Sequence, residues 1–236
     1  MKRALFALFV VVGVSLAAFA DVSPCPTATY DVYVVSGFAC GIGDKTFADF
    51  LYSGTSNPPG FGIPAGGVAV TPITTAGNPG FQFSAGWFAS TNSGILEEDS
   101  LIQYSVTVNS GGALINDLSL SIGGLAFSGT GFIGVSETAC VGGMLPSCAG
   151  GQIYTLSVFD DSSGSKLFDS ASFAGVSEID LQKDITVQAG TNGTASLSLV
   201  TNQFSEAGTT PEPGTLSMLG LGVITVAGFA RRKLGI

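Results

Sequence analysis

The chain contains no histidine, so the usual general base of hydrolytic sites is missing. A Ser-His-Asp or Cys-His pair, and a zinc site built on histidine, are therefore excluded. Carboxylates are the remaining reactive groups, and the densest cluster is Glu97-Glu98-Asp99. A glycosidase needs two carboxyl groups roughly 5–10 Å apart, whereas neighbours on a strand point to opposite faces. We expect this cluster to be a solvated loop, and the protein not to be an enzyme.

The segment Asp160-Asp161-Ser162-Ser163-Gly164 offers the oxygen ligands that calcium prefers. It lacks the alternating Asp/Asn spacing and the distal bidentate Glu of an EF-hand. Asp, Ser and Gly are also the residues that turns use most. The pattern therefore favours a hairpin turn, with calcium binding as the alternative. We predict no cofactor and no metal site.

Three aromatic residues could form a platform on which a sugar ring stacks, namely Trp87, Phe88 and Tyr104. Trp87, however, lies in the same alternating register as Phe81 and Phe83. A period of two predicts that these three side chains face the same side of one strand, which favours a core position for Trp87.

The four cysteines are candidates for two disulfides, since an even number in an exported protein favours pairing. Four cysteines allow three pairings, which the sequence does not distinguish. Spacing favours the two local pairs, Cys25 with Cys40 and Cys140 with Cys148.

The first twenty residues have the layout of a secretory signal peptide. Lys2-Arg3 precede an apolar run that reaches Ala18-Phe19-Ala20, and Asp21 follows. The Ala-x-Ala pattern of Ala18 and Ala20 predicts cleavage after Ala20 by the general export (Sec) route. We therefore expect residues 1–20 to be absent from the exported protein.

Charge is distributed unevenly along the chain. Between residues 21 and 212, three lysines face all seventeen acidic residues, which gives a net charge of −14. Phosphate backbones are bound by clustered lysine and arginine, so we predict no nucleic-acid partner.

Residues 21–207 read as an all-β domain. Apolar and polar residues alternate in several short segments, and Gly-rich turns separate them. A sheet of this size usually splits into two packed layers. We predict a single jelly-roll-like β-sandwich of about ten strands, beginning with a strand over residues 27–35 and including strands near residues 81–87, 102–108, 118–122, 154–158, 179–187 and 195–199.

The C-terminal residues follow a different plan. A linker, residues 208–215, contains Pro211-Glu212-Pro213, and an apolar run covers 216–230 before Arg231-Arg232-Lys233. Fifteen helical residues span ~22 Å, which is short for a ~30 Å hydrocarbon core. The basic residues favour a cytoplasmic position for this end. The pattern predicts a transmembrane segment within residues 216–236 whose short span favours a transient anchor.

This layout resembles the C-terminal signal of PEP-CTERM proteins of Gram-negative bacteria. The resemblance rests on Pro211, Glu212 and Pro213, on the apolar run, and on Arg231, Arg232 and Lys233. It implies recognition by an exosortase, a membrane-embedded cysteine peptidase that cuts near the motif. It also implies an inner-membrane intermediate and a final location at the cell surface or outside the cell.

The combined prediction is an exported surface or matrix protein, processed by exosortase, with a structural or adhesive role in exopolysaccharide and biofilm as the resemblance implies. Extracellular polysaccharide is then a candidate partner. The alternative is a carbohydrate-binding module or a carboxylate-based glycan hydrolase, with calcium as a possible requirement.

Overall fold

The computed structural model describes residues 22–206. These residues form fourteen strands, one short α-helix, α1 (Tyr30–Tyr33), and one 3-10 helical turn (Ala65–Gly67). The strands are β1 (Ala28–Thr29), β2 (Cys40–Ile42), β3 (Lys45–Asn57), β4 (Ala69–Ile73), β5 (Gly80–Ser90), β6 (Glu97–Val108), β7 (Ile115–Gly123), β8 (Ala126–Gly129), β9 (Phe132–Val141), β10 (Gln152–Asp161), β11 (Gly164–Lys166), β12 (Phe168–Val176), β13 (Glu178–Gln188) and β14 (Gly193–Glu206).

The strands form two seven-stranded sheets. The first sheet has the order β11-β10-β9-β13-β6-β3-β2. The second has the order β1-β4-β5-β14-β7-β12, and β8 also pairs with β14. All strand pairs within both sheets are antiparallel, so the predicted all-β class is confirmed.

Both sheets contribute to one hydrophobic core. On β13, alternate residues Ile179, Leu181, Ile185 and Val187 are buried, as expected for a strand with one face on a core. Aromatic rings from the two sheets meet in this core: Phe81 of β5 lies edge-on to Tyr104 of β6, with ring centroids 5.5 Å apart. This pair joins the two sheets across the core.

The predicted first strand over residues 27–35 is wrong after its first residues. Only Ala28–Thr29 is extended, and Tyr30–Tyr33 forms one helical turn. Tyr30 and Tyr33 are three residues apart, so one helical face directs both rings into the core. Burial of two aromatic rings at this spacing outweighs the local preference of Tyr and Val for strands.

The structure has fourteen strands, more than the predicted ten or so; the ten-residue strand β9 was not located, and four of the fourteen are very short. β1, β2, β8 and β11 have two to four residues each. So few residues show no readable alternation. These strands exist because they complete the hydrogen bonds of longer neighbours.

Several predictions concern residues outside 22–206 and are not tested by this structure. They are the signal peptide with Ala18 and Ala20, the linker, the sorting residues Pro211 to Pro213, the transmembrane segment and the basic end from Arg231 to Lys233. Among residues 22–206, no helix is long and apolar enough to cross a membrane.

Candidate functional site

The acidic cluster does not form the solvated loop that we expected. Glu97, Glu98 and Asp99 open the strand β6, which pairs with β3 on one side and β13 on the other. Glu98 faces inward and is only 4% exposed. Its carboxylate accepts hydrogen bonds from the backbone N–H groups of Ile63 (3.0 Å) and Phe88 (2.8 Å). Glu98 therefore fastens a loop to the sheet, a structural task.

The proposed platform of Trp87, Phe88 and Tyr104 is not formed. Trp87 and Tyr104 are fully buried, while Phe88 is 40% exposed. The Trp87 indole N–H donates to Ser100 Oγ at 2.9 Å, which satisfies its one polar group inside the core. The core position expected for Trp87 is thus confirmed.

The segment from Asp160 to Gly164 is a hairpin turn, as favoured by its composition. Asp161 pairs with Gly164 across β10 and β11, and two serines form the loop. Asp161 Oδ1 accepts from Ser163 N–H (2.7 Å), Ser163 Oγ–H (2.6 Å) and Gly164 N–H (3.1 Å). These hydrogen bonds hold the pKa of Asp161 below its usual value. Oδ1 is therefore used by the turn, whereas Oδ2 takes no part in these three hydrogen bonds.

The two local disulfides are present, Cys25–Cys40 and Cys140–Cys148. The first joins the segment before β1 to β2, and the second closes the loop that follows β9. Each closes a short loop and reduces the conformational entropy of the unfolded chain.

A second group of polar residues, which sequence reasoning missed, lies in the middle of the core. Lys183 of β13 and Glu137 of β9 are both fully buried, and Lys183 Nζ lies 2.7 Å from Glu137 Oε2. The two strands are neighbours, and Lys183 is directly opposite Glu137 in their register. An ion pair removed from water in this way is costly unless hydrogen bonds complete it.

The opposite sheet supplies those hydrogen bonds through Asn202 of β14, which is fully buried as well. Lys183 Nζ donates to Asn202 Oδ1 at 2.8 Å. Asn202 Nδ2 donates to Glu137 Oε1 (3.2 Å) and to the backbone carbonyl of Ser119 (2.8 Å). Tyr104 O–H donates to the same Asn202 Oδ1 at 2.5 Å. The four side chains form one connected group, which we call the core polar cluster.

Aromatic rings surround the core polar cluster. Lys183 Nζ lies 4.6 Å from the ring centroid of Tyr104 and 5.7 Å from that of Phe83. Burial lowers the pKa of the Lys183 ammonium, and the Glu137 carboxylate only partly opposes this effect. A lysine in such a site releases its proton more readily than one in water.

The signal that could have revealed this cluster is the position of polar residues within apolar alternation. Lys183 stands between Leu181 and Ile185 in the inward phase of β13, and Glu137 stands between Val135 and Ala139 in β9. Each was a single charged residue without a motif. Only the register between sheets brings them together with Asn202.

The outer face of the first sheet carries a shallow groove of about 490 Å³. The Cζ–Cε1 edge of the Phe132 ring lies against Gly134, since a Cβ at Gly134 would come within 2.5 Å of Phe132 Cζ. Phe159, directly opposite Gly134 in β10, also lines the groove, as do Asp161 and Asp184. The site thus combines an aromatic face with carboxylate acceptors.

A larger pocket of about 580 Å³ lies at the other end of this outer face. It contains Asp49 and Asp180, the latter only 2% exposed. Asp180 Oδ2 accepts from Leu145 N–H at 2.8 Å, and Ser105 O–H donates to Asp49 at 2.7 Å. Burial raises the pKa of Asp180, and the negative charge of Asp49 raises it further. Across residues 22–206, no group of three or more His, Cys, Asp or Glu side chains could hold a metal ion.

Comparison with protein families gives one match, at the C-terminal end. Residues 209–233 match the family model of the PEP-CTERM protein-sorting motif. This range contains all six residues on which the resemblance rested, from Pro211 to Lys233. A sequence comparison with curated proteins found no match.

Among solved structures, the chain is similar to TmCBM61 in complex with beta-1,4-galactotriose, with 9% identity, a TM-score of 0.33, and coverage of 75% of this chain and 94% of that one. It is also similar to the low-affinity xylan binding module CBM86 from Roseburia intestinalis, with 13% identity, a TM-score of 0.23, and coverage of 66% and 96%. Similarity at this level does not carry the ligands of those modules over to this chain.

Proposed function

We propose, on the premise that the chain carries a PEP-CTERM protein-sorting motif at residues 209–233, that it is a substrate of exosortase and is exported to the cell surface or the extracellular matrix. The motif is the observation that carries this proposal. Sec export would deliver the chain to the inner membrane, where the apolar run holds it until the processing enzyme cuts near Glu212.

Two features of residues 22–206 support an extracellular location. Both disulfides are of the kind that persist in oxidising compartments. The strongly acidic body favours solubility and repels other copies of itself. We interpret the two sheets as one jelly-roll-like sandwich with a structural or adhesive role in exopolysaccharide or biofilm, without catalytic activity.

Processing can be tested by mass. The full chain is expressed in a host with exosortase and in the same host with that peptidase inactivated. The molecular mass of the mature protein is then measured by mass spectrometry. We expect loss of the C-terminal segment only where exosortase is active, and retention when Pro211-Glu212-Pro213 is replaced by three alanines. An intact C-terminus in both hosts would contradict the proposal.

A second function, binding of a neutral polysaccharide, is favoured by the groove at Phe132. The half-buried Phe132 ring would stack on the apolar face of a sugar, as aromatic side chains do with other planar or apolar partners. The carboxylates of Asp161 and Asp184 would accept hydrogen bonds from hydroxyl groups. The net charge of −14 disfavours an anionic glycan.

The groove can be tested on a glycan array with the full chain. Phe132→Ala should abolish binding of neutral glycans, whereas Phe168→Ala should leave it unchanged. Phe168 is a suitable control because it is 59% exposed but belongs to β12 of the other sheet. Absence of binding by the unaltered chain, with or without calcium, would rule out this second function and leave the sorting proposal intact.

A further inference from the structure

The core polar cluster contains the parts of an amide-forming reaction. Lys183 supplies an amine, Asn202 a carboxamide, and Glu137 a carboxylate that touches both. Besides completing the hydrogen bonds of the buried ion pair, Asn202 places its carboxamide carbon beside the amine, and the Tyr104 hydroxyl donates to the carboxamide oxygen. The arrangement is unusual because its four members come from four strands and both sheets.

We propose that Lys183 and Asn202 become joined by an intramolecular isopeptide bond, formed by the protein itself with Glu137 as general acid and base. The bond would link β13 of one sheet to β14 of the other. It does not depend on the proposed surface role, because it follows from the geometry of the core alone.

The reaction balances within the cluster. Glu137 takes a proton from the Lys183 ammonium, and the neutral Nζ attacks Asn202 Cγ, one bond beyond the oxygen that it already contacts at 2.8 Å. Negative charge moves onto Asn202 Oδ1, where the Tyr104 hydroxyl donates a hydrogen bond. Glu137 then protonates Nδ2, the Cγ–Nδ2 bond breaks, and ammonia leaves. Glu137 receives the remaining Nζ proton and ends as a neutral carboxyl group.

The surroundings favour this step. Burial destabilises the charged amine, which increases the fraction of nucleophilic neutral lysine. The rings of Phe83 and Tyr104 border the amine. The reaction also replaces a buried ion pair by an amide and a neutral carboxyl group, which relieves the desolvation cost of two charges. No external oxidant, metal or cofactor is required.

The position of the bond gives it a mechanical role. Asn202 lies in β14, the last strand within residues 22–206, which ends at Glu206, and the sorting motif begins at residue 209. A force applied through the C-terminal segment therefore reaches β14 first. A covalent link from Asn202 to β13 would pass that force into the middle of the other sheet.

The test is a tryptic digest of the full, unaltered chain after denaturation, reduction and alkylation. An amide on the Lys183 side chain blocks cleavage after it, so the peptide 167–183 should be absent. In its place, a peptide that starts at residue 167 and continues past Lys183 should have a mass about 17 Da below its sequence value, the mass of ammonia. Lys45 provides an internal control, since it is equally buried but pairs with the carboxylates of Asp44 and Glu206 and should be cleaved normally.

The matched variant is Glu137→Gln, which keeps the shape but removes the proton acceptor. Loss of a general acid–base group slows such reactions by about 10²–10⁴-fold, so the peptide 167–183 should appear in high yield. Recovery of this peptide from the unaltered chain, in the same yield as the peptide ending at Lys45, would overturn the proposal. That result needs no variant, so poor folding of Glu137→Gln cannot hide it.

Discussion

Single polar side chains hold much of this core in place. Ser100 is fully buried and serves two aromatic residues from other strands. Its hydroxyl accepts from the Trp87 indole N–H and lies 2.9 Å from the Tyr52 hydroxyl. Tyr52 in turn donates to the carbonyl of Ile63 at 2.7 Å. A chain of hydrogen bonds therefore runs from the core to the loop that Glu98 also fastens.

Replacing this serine tests the role of that chain. Ser100→Ala leaves the Trp87 indole N–H without an acceptor inside the core, and we expect a loss of about 1–3 kcal/mol in the free energy of unfolding. Urea denaturation followed by tryptophan fluorescence measures it, since Trp87 is the one tryptophan. Ser53→Ala, on the exposed side of β3, should change stability by less than about 0.5 kcal/mol. Equal effects of the two changes would contradict this interpretation.

At the scale of elements, close approach between strands decides which glycines are needed. Gly80 opens β5, and a Cβ there would lie 2.1 Å from the backbone carbonyl oxygen of Asn202 in β14. Gly86, six residues along the same strand, has nothing within 4 Å of its Cβ position. The two glycines thus have opposite requirements within one strand.

This contrast gives a matched pair of variants. Gly80→Ala must push β5 away from β14, at a cost of about 1–3 kcal/mol, because backbone atoms cannot rotate aside. Gly86→Ala should be neutral or stabilise the protein by about 0.4–1 kcal/mol, since alanine restricts the unfolded chain. Urea midpoints of both variants provide the measurement. The interpretation fails if Gly80→Ala is as stable as Gly86→Ala.

Six of the longer strands could be predicted from the sequence, whereas two others and most of the short elements could not. β5, β6, β7, β10, β13 and β14 each show alternation over several residues and each overlaps a predicted strand, although β6 begins at Glu97, before the predicted residue 102. β9 and β12, of ten and nine residues, were not located. The helix α1 was missed because its signal is a single pair, Tyr30 and Tyr33, and one pair does not separate a helical period from a strand period. Its formation depends on a core that other strands complete.

The candidate sites were harder to predict than the strands. A motif such as Pro211-Glu212-Pro213 is contiguous, so it can be read directly and matches a family. The core polar cluster is assembled from residues up to 98 positions apart, between Tyr104 and Asn202. The register of two sheets brings them together, and local sequence carries no information about that register.

At the scale of the whole molecule, two groups of carboxyl side chains have pKa values shifted in opposite directions. Burial raises the pKa of Glu97, Glu98, Asp180 and Asp184. Three other carboxyls have lowered pKa values. Burial raises the pKa of Asp44 and Asp169, but hydrogen bonds involving Lys45 and Lys166 lower it by more. The pKa of Asp161 is lowered by the hydrogen bonds of the turn.

The two groups predict a stability maximum in mildly acidic solution. Carboxyls with a raised pKa bind more protons in the folded state, so they lower stability as pH rises above about 4 and through their folded pKa values. Carboxyls with a lowered pKa stabilise the fold above about pH 4, and this contribution disappears as pH falls through their folded values. We therefore expect the melting temperature to be highest near about pH 4 and to fall as pH rises through the folded pKa values of the first group.

Asp180→Asn separates this effect from simple relief of charge repulsion. The amide oxygen still accepts from Leu145 N–H, while the buried group no longer ionises, so the decrease in melting temperature above about pH 4 should become smaller. Asp160→Asn removes the same unit of charge from the half-buried start of the hairpin and should leave the decrease nearly unchanged. Scanning calorimetry across this range measures both variants. If both variants reduce the pH dependence of the melting temperature equally, overall charge and not the buried carboxyl controls the stability maximum.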